Sequence, residues 1–227
     1  MAHLAPMTDE DRDRLARAVA AAEATSAAEI VTIVAEQSDS YADVALVWSA
    51  LVAFLALAVL AAMPGFYLGL WDRLTGDWVS QAGPRGIFEM AALVAMLKFV
   101  GTWLILLWRP LRLLLVPAPI RHHRVRERAI TCFKVGADRR TTGRTGILLY
   151  LSMREHRAEI VADEAIASRV DAAVWGEAMA AMLAHLREGR TADGMIAAIE
   201  RVGALVARHL PRTAGDVNEL PDRVIEV

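Results

Sequence analysis

VALVWSALVAFLALAVLAAM, from Val44 to Met63, is a run of about 20 residues without a charged side chain. At about 1.5 Å per helical residue, it is long enough to cross a bilayer core about 30 Å thick. A second run of similar length, IFEMAALVAMLKFVGTWLILLW, extends from Ile87 to Trp108, and its only ionisable residues are Glu89 and Lys98. The two runs predict a transmembrane hairpin with spans at about 44–63 and 87–108.

The composition indicates a chain that is partly membrane-embedded and partly soluble. Hydrophobic residues make up 56% of the 227 residues, yet charged residues still make up 23%. The net charge of −2 shows no excess of basic residues, so we expect no nucleic-acid partner. The single cysteine, Cys132, excludes an intrachain disulfide and a multi-cysteine zinc site. The hairpin leaves room for one compact soluble domain.

The chain before the hairpin predicts one helix and one strand. The helix should run from about Asp9 to Ala24, with Thr8 as its N-cap. The strand, Glu29 to Glu36, is apolar on both faces, which is typical of a buried parallel strand. It has no neighbour in its own half of the chain, so we expect it to pair with a strand that follows the hairpin.

The chain after the hairpin predicts the remaining elements of the same domain. An amphipathic helix is expected over about 121–137, then strands at 147–152 and 157–162 joined by a hairpin turn, then helices over about 171–188 and 191–210. The predicted domain limits are therefore 8–43 and 109–210 for the soluble part, 44–108 for the membrane hairpin, and 211–227 for an extended tail. Glycines, prolines and tryptophans predict an irregular connection over about 64–86.

Arginine is concentrated on one side of the hairpin. Six arginines follow the second span closely: Arg109, Arg112, Arg121, Arg124, Arg126 and Arg128. The loop between the spans contains only Arg73 and Arg85. The positive-inside rule then places both termini in the cytoplasm, with the hairpin in the inner or plasma membrane. The basic cluster can act as a topology signal alone or also bind anionic lipid headgroups.

Ionisable residues inside the second span need an explanation of their own. Glu89 and Lys98 can pair within a helix bundle, extend towards the interface or belong to a transport path. Formation of a homo-oligomer is one way to give them partners.

Acidic residues near the predicted strand ends are the candidates for a metal site. Glu155 lies in the hairpin turn, Asp163 follows the second strand, and Asp171 begins the next helix. Carboxylate oxygens suit Ca²⁺ or Mg²⁺, while the alternative is that these acids serve as turn and cap residues. We find no phosphate-binding glycine loop, no His-Glu-x-x-His and no nucleophile elbow in the sequence.

The segment from Thr141 to Asp163, TTGRTGILLYLSMREHRAEIVAD, with the two helices after it, resembles the TPM domain. This is the family of thylakoid-lumen phosphatase-like and photosystem II repair proteins. The earlier segment ATSAAEIVTIVAEQSDSYAD resembles the opening helix and strand of that domain, and Asn218 to Pro221 resembles its bacterial membrane-anchored branch. The resemblance covers about 8–43 and 121–220. It implies an α/β fold with a mixed sheet flanked by helices, here interrupted by the transmembrane hairpin.

The resemblance also implies two kinds of function. Some members are described as acid phosphatases or calcium binders that use acidic loops near strand ends. Carried over to this sequence, those roles fall on Glu155, Asp163 and Asp171, with Thr142 and Arg144 beside them. Because no nucleophile and base appear in a recognisable spacing, the sequence favours a binding, assembly or quality-control module for other membrane proteins. The alternative is a metal-dependent, phosphatase-like hydrolase.

Overall fold

A computed structural model describes residues 7–76, 78–136, 145–212 and 223–227. The chain forms two compact units. Residues Met1–Asp39 and Ala118–Val227 make up the first, which we call the α/β unit. Residues Ser40–Pro117 make up the second, the helical unit.

The elements follow one another along the chain as described here. They are α1 Asp9–Glu23, β1 Glu29–Ala35, α2 Ala42–Ala62, α3 Pro64–Thr75, α4 Trp78–Leu106, α5 Arg109–Leu115, α6 Ala118–Gly136, β2 Gly146–Ser152, β3 Arg157–Ala162, α7 Glu164–Ala167, α8 Ala172–Leu186, α9 Thr191–His209 and β4 Ile225–Glu226. The expected capping of α1 is confirmed, because Thr8 and Asp11 form a reciprocal capping box. Helix α9 begins at Thr191, with Arg190 at its N-cap position.

A four-stranded sheet in the order β3-β2-β1-β4 lies at the centre of the α/β unit. β1 and β2 are parallel and pair along their whole length, from Glu29 opposite Gly146 to Ala35 opposite Ser152. β2 and β3 form an antiparallel hairpin, and the short β4 pairs with β1 in parallel. The expected pairing of the strand before the hairpin with a strand after it is confirmed.

Helices cover both faces of this sheet. On one face, Ile30, Val34 and Leu149 pack into the larger core, to which α1, α8 and α9 contribute. On the other face, the smaller core joins side chains of β1 and β2 to Val125 and Phe133 of α6. Burial on both faces explains why β1 and β2 are apolar throughout. The α/β class with a mixed sheet flanked by helices is therefore confirmed.

The helical unit is dominated by α2 and α4. Two of its helical stretches, Ala42–Ala62 and Gly83–Leu106, are long and apolar enough to cross a membrane. In the most apolar 18 residues of each stretch, only 22% of the first and 11% of the second are buried inside the structure. Large side chains such as Phe54 and Phe88 are more than two-thirds exposed, unlike those of a helix in a soluble core.

The connection between these two stretches differs from the sequence expectation. Residues predicted to be irregular form α3 and the first turns of α4. Pro64 occupies the first turn of α3, where a missing N–H costs nothing, and Gly76 ends that helix with a φ of 70°. At Gly83 the chain has a φ of 62° and ψ of −148°, which marks a kink before Pro84. Here glycine and proline delimit helices instead of preventing them.

Candidate functional site

A polar network lies where β1 and β2 end. Because the two strands are parallel and in register, the residues that follow β1 meet the end of β2 at one edge of the sheet. The Tyr150 hydroxyl lies 3.0 Å from Ser38 Oγ, which donates to Ser152 Oγ at 2.9 Å. Ser152 Oγ donates in turn to the Glu155 carboxylate. The Ser38 backbone N–H also donates to Glu155 Oε1, at 3.0 Å.

This network is buried, and its burial decides what it can do. Tyr150 and Ser152 are fully buried, and Glu155 is 2% exposed. Burial raises the pKa of Tyr150, and its hydrogen bond with Ser38 opposes that rise. The Ser152 hydroxyl points at a carboxylate, but a substrate cannot reach a fully buried hydroxyl. The arrangement therefore holds the β2–β3 turn against Ser38, in the segment that follows β1.

The acids expected to form a metal site are not brought together. Glu155 lies in the β2–β3 turn, whereas Asp163 accepts a hydrogen bond from the Gly146 N–H, 2.9 Å away at the opposite end of β2. A seven-residue strand separates the two ends by about 20 Å. Asp171 is the N-cap of α8 and accepts from the Ala173 N–H at 2.9 Å. The structure uses these acids in a turn, at a strand end and at a helix cap.

The metal interpretation gains no support elsewhere in the described part of the chain. No group of three or more His, Cys, Asp or Glu side chains there is placed to hold a metal ion. Thr142 and Arg144, the other expected site residues, lie outside the described residues.

A second charged group lies between α6 and the edge strand β3. Glu159 is 10% exposed at its side chain, with His122 Nδ1 3.5 Å and an Arg126 nitrogen 3.7 Å from its oxygens. Burial raises the pKa of Glu159, and the nearby charges of His122, Arg126 and Arg157 oppose that rise. In the same unit, Arg124 pairs with Asp39 at 2.9 Å. Part of the basic cluster therefore stabilises the α/β unit itself.

The helical unit contains the two ionisable residues noted in the second span. Glu89 pairs with Arg85 at 2.8 Å, one turn earlier on α4. Lys98 lies further along α4 and contributes to a groove of about 500 Å³ that is otherwise lined mainly by apolar side chains of α2, α3 and α4. Of these two ionisable residues of α4, Glu89 is therefore paired within the helix, whereas Lys98 lies in the groove.

Sequence reasoning missed the partners of Glu155. Ser38, Tyr150 and Ser152 belong to no recognised sequence motif. Tyr150 lies within β2, and Ser152 is the last residue of that strand. The signal that could have found them is the parallel pairing itself, because it places the residues after β1 beside the end of β2. The contact between His122 and Glu159 was also missed, since the packing of α6 over β3 cannot be predicted from residue spacing alone.

The sheet order, with helices on both faces, defines an α/β domain with a mixed sheet, into whose chain two long apolar helices are inserted. The family model for the TPM domain matches residues 116–205. The chain therefore carries a TPM domain over these residues. The fold is similar to the NMR structure of the BA42 protein from the psychrophilic bacterium Bizionia argentinensis. That likeness has 15% sequence identity and a TM-score of 0.57 and covers 97% of this chain and 95% of that one. No curated protein matches the chain.

Proposed function

We propose that this protein is an integral protein of the inner or plasma membrane that crosses the bilayer twice and keeps both termini in the cytoplasm. The observation that carries the proposal is the position of the exposed apolar helices. They lie between β1 and β2, two strands that pair along their full length in one sheet. An anchor inserted there cannot be separated from the domain without cutting the domain's own chain.

The TPM domain then acts as a binding, assembly or quality-control module for other membrane proteins. Two features support binding over catalysis. The acids of the sheet are engaged with backbone N–H groups and hydroxyls, and β3 lies at the edge of the sheet with half-buried side chains. An edge strand offers backbone groups on which a partner segment can add a further strand.

The arginines close to the second span would help to fix this placement. Arg109 and Arg112 lie on the short helix α5, beside exposed Trp108 and Leu114. Basic and aromatic side chains at the end of a span suit the headgroup region, where each cation near an anionic surface contributes about 1 kcal/mol. We propose that these two arginines contact anionic lipid headgroups.

Reporter fusions test the placement. A reporter active only in the cytoplasm should work at either terminus and fail when inserted at Gly76, whereas a reporter active only after export should show the reverse. An exported C-terminal reporter would overturn the topology.

Partner capture then tests whether the TPM domain binds other membrane proteins. Site-specific crosslinking from half-buried β3 positions in intact membranes should give discrete adducts with membrane proteins, while the same crosslinker at exposed Arg201 on α9 should not.

A further inference from the structure

Lys98 stands out among the described residues as a cation without a partner on an apolar helix. It forms no ion pair or hydrogen bond with any residue in the part of the chain that the structure describes, unlike Glu89 on the same helix. Lys98 lies about 12 Å along the axis from Leu106, at the end of α4, and about 22 Å from Gly83. A bilayer core about 30 Å thick would place it near the middle of the membrane.

The direction of the Lys98 side chain prevents its ammonium group from reaching the membrane interface. Helical side chains lean towards the N-terminus of their helix, so Lys98 leans away from Leu106, the nearer end of the span. A lysine side chain reaches only about 6 Å, which is too short to bring the ammonium group to the farther interface. An anionic partner at the same depth would satisfy this charge.

The surroundings of Lys98 have the shape of a docking site. The groove has one wall on α2 between Val52 and Leu60 and another on α3 between Tyr67 and Leu74, with Lys98 on α4. One turn after Lys98, a side chain added at Gly101 would meet nothing within 4 Å. Small residues at such a position allow another helix to approach closely.

Charge and depth select the occupant. A lipid phosphate or a fatty-acid carboxylate lies at the interface, about 15 Å from the centre of the bilayer. A second copy of this chain does not supply the charge either, because the acids of its two apolar helices are Asp43, in the first turn of α2, and Glu89, already paired and about 13 Å from Lys98 along the axis. What remains is an acidic side chain in the span of a different protein.

We propose that Lys98 and its groove bind a transmembrane helix of another membrane protein that carries an Asp or Glu side chain at mid-membrane depth. The inference rests on the proposed function, since it names a class of membrane protein that this protein recognises. It adds a contact made by the helical unit to the binding proposed for the TPM domain.

The test uses the full-length protein in phosphatidylcholine vesicles with a synthetic Leu/Ala transmembrane peptide that carries one central Asp, labelled for energy transfer. The same peptide with Leu in place of Asp is the reference. We expect the Asp peptide to associate roughly tenfold more strongly, the size of one favourable polar contact between helices. Equal association of the two peptides would overturn the proposal.

Variants show whether Lys98 is responsible. Lys98→Met should abolish the preference for Asp, and Lys98→Glu should shift it to a peptide with a central Lys. Lys134→Met, which removes the only other lysine of the chain from an exposed position on α6, should leave the preference unchanged. Gly101→Leu should weaken binding of the Asp peptide by filling the open face. Binding that survives both Lys98→Met and Gly101→Leu would refute the site.

Vesicles of a second composition test whether an anionic lipid fills the groove instead. If replacing a fifth of the lipid with phosphatidylglycerol removes the preference for Asp, the occupant is an anionic lipid and the proposal fails. The peptide assay depends neither on the orientation of the protein nor on the TPM domain. A negative peptide result beside correct reporter topology and β3 crosslinks would therefore remove this inference and leave the proposed function standing.

Discussion

Thr32 shows at the scale of one residue how the sheet tolerates a polar group. Its side chain is 1% exposed on β1, and Oγ1 finds no hydrogen-bond partner among the described residues. Valine has nearly the same shape and no hydroxyl to desolvate. We therefore expect Thr32→Val to stabilise the α/β unit by about 1 kcal/mol.

Chemical denaturation of the detergent-solubilised protein would measure this change. Thr32→Ala is the control, because it removes the hydroxyl but also a buried methyl group, and should be less stable than Thr32→Val. A Val variant less stable than the native protein would mean that the hydroxyl has a partner after all.

Glu159 gives a pH-dependent prediction at the same scale. Because burial raises its pKa above the ordinary value of 4.5, the folded state binds a proton more tightly than the unfolded state. The stability associated with Glu159 is therefore greatest at low pH and is lost as the pH rises through the folded pKa. The nearby charges of His122, Arg126 and Arg157 limit the size of the effect.

The measurement compares melting temperatures of the native protein and Glu159→Gln between about pH 4.5 and 6.5. The native protein should lose stability relative to Glu159→Gln as the pH rises. Glu127→Gln, at an exposed position on α6, should follow the native curve. Parallel curves for the native protein and Glu159→Gln would show that Glu159 titrates alike in both states.

The close packing of α1 against α9 can be tested at the scale of the element. A Cβ added at Gly203 would come 2.6 Å from Ala22 Cβ, closer than two carbon atoms can pack. We expect Gly203→Ala to cost about 1–3 kcal/mol of stability, as overpacked cores do. Gly176→Ala on α8 is the matched control, because its Cβ meets nothing within 4 Å and should stabilise that helix by up to about 1 kcal/mol.

A second substitution, at Ala22, tests whether the cost of Gly203→Ala comes from the contact between these two residues. Ala22→Gly removes the atom that Gly203→Ala would strike, so the double variant should be more stable than the two single effects added together. Additive effects would show that the strain lies elsewhere.

At this scale the sequence predicts strands and the principal helices well, and connections poorly. The apolar runs of β1 and β2 predict both their burial and their parallel pairing, since only a strand covered on both faces needs to be apolar throughout. α3 was missed because its two glycines and its proline are typical of irregular segments. The site was harder still. Glu155 stood out as an acid near a strand end, and its separation from Asp163 was predictable, because the six residues of β3 between them span about 20 Å. Its contact with Ser38 was missed, although the parallel pairing of β1 and β2 places the residues after β1 beside the β2–β3 turn.

For the whole molecule, the main feature is that the helical unit interrupts the chain of the α/β unit. Two parallel strands need a connection that crosses one face of their sheet, and α6 alone is long enough to provide it between β1 and β2. The segment Ser40–Pro117 is therefore not required to complete the sheet. It adds two helices that are long and apolar enough to cross a membrane and, under our proposal, the partner site around Lys98.

This predicts that the α/β unit folds without the helical unit. Asp39 pairs with Arg124, which lies about 9 Å along α6 from Ala118, so the two cut ends are near each other within the α/β unit. A Gly/Ser linker of about eight residues, which reaches at most about 26 Å, can replace residues 40–117. We expect a soluble protein that melts cooperatively, with amide exchange slowest in β1 and β2.

The fragment 118–227 is the control. It should fail to fold, because it lacks α1 and β1 and leaves β2 without its parallel neighbour. If that fragment folds alone while the linked protein aggregates, the segments on either side of the insertion do not form one domain.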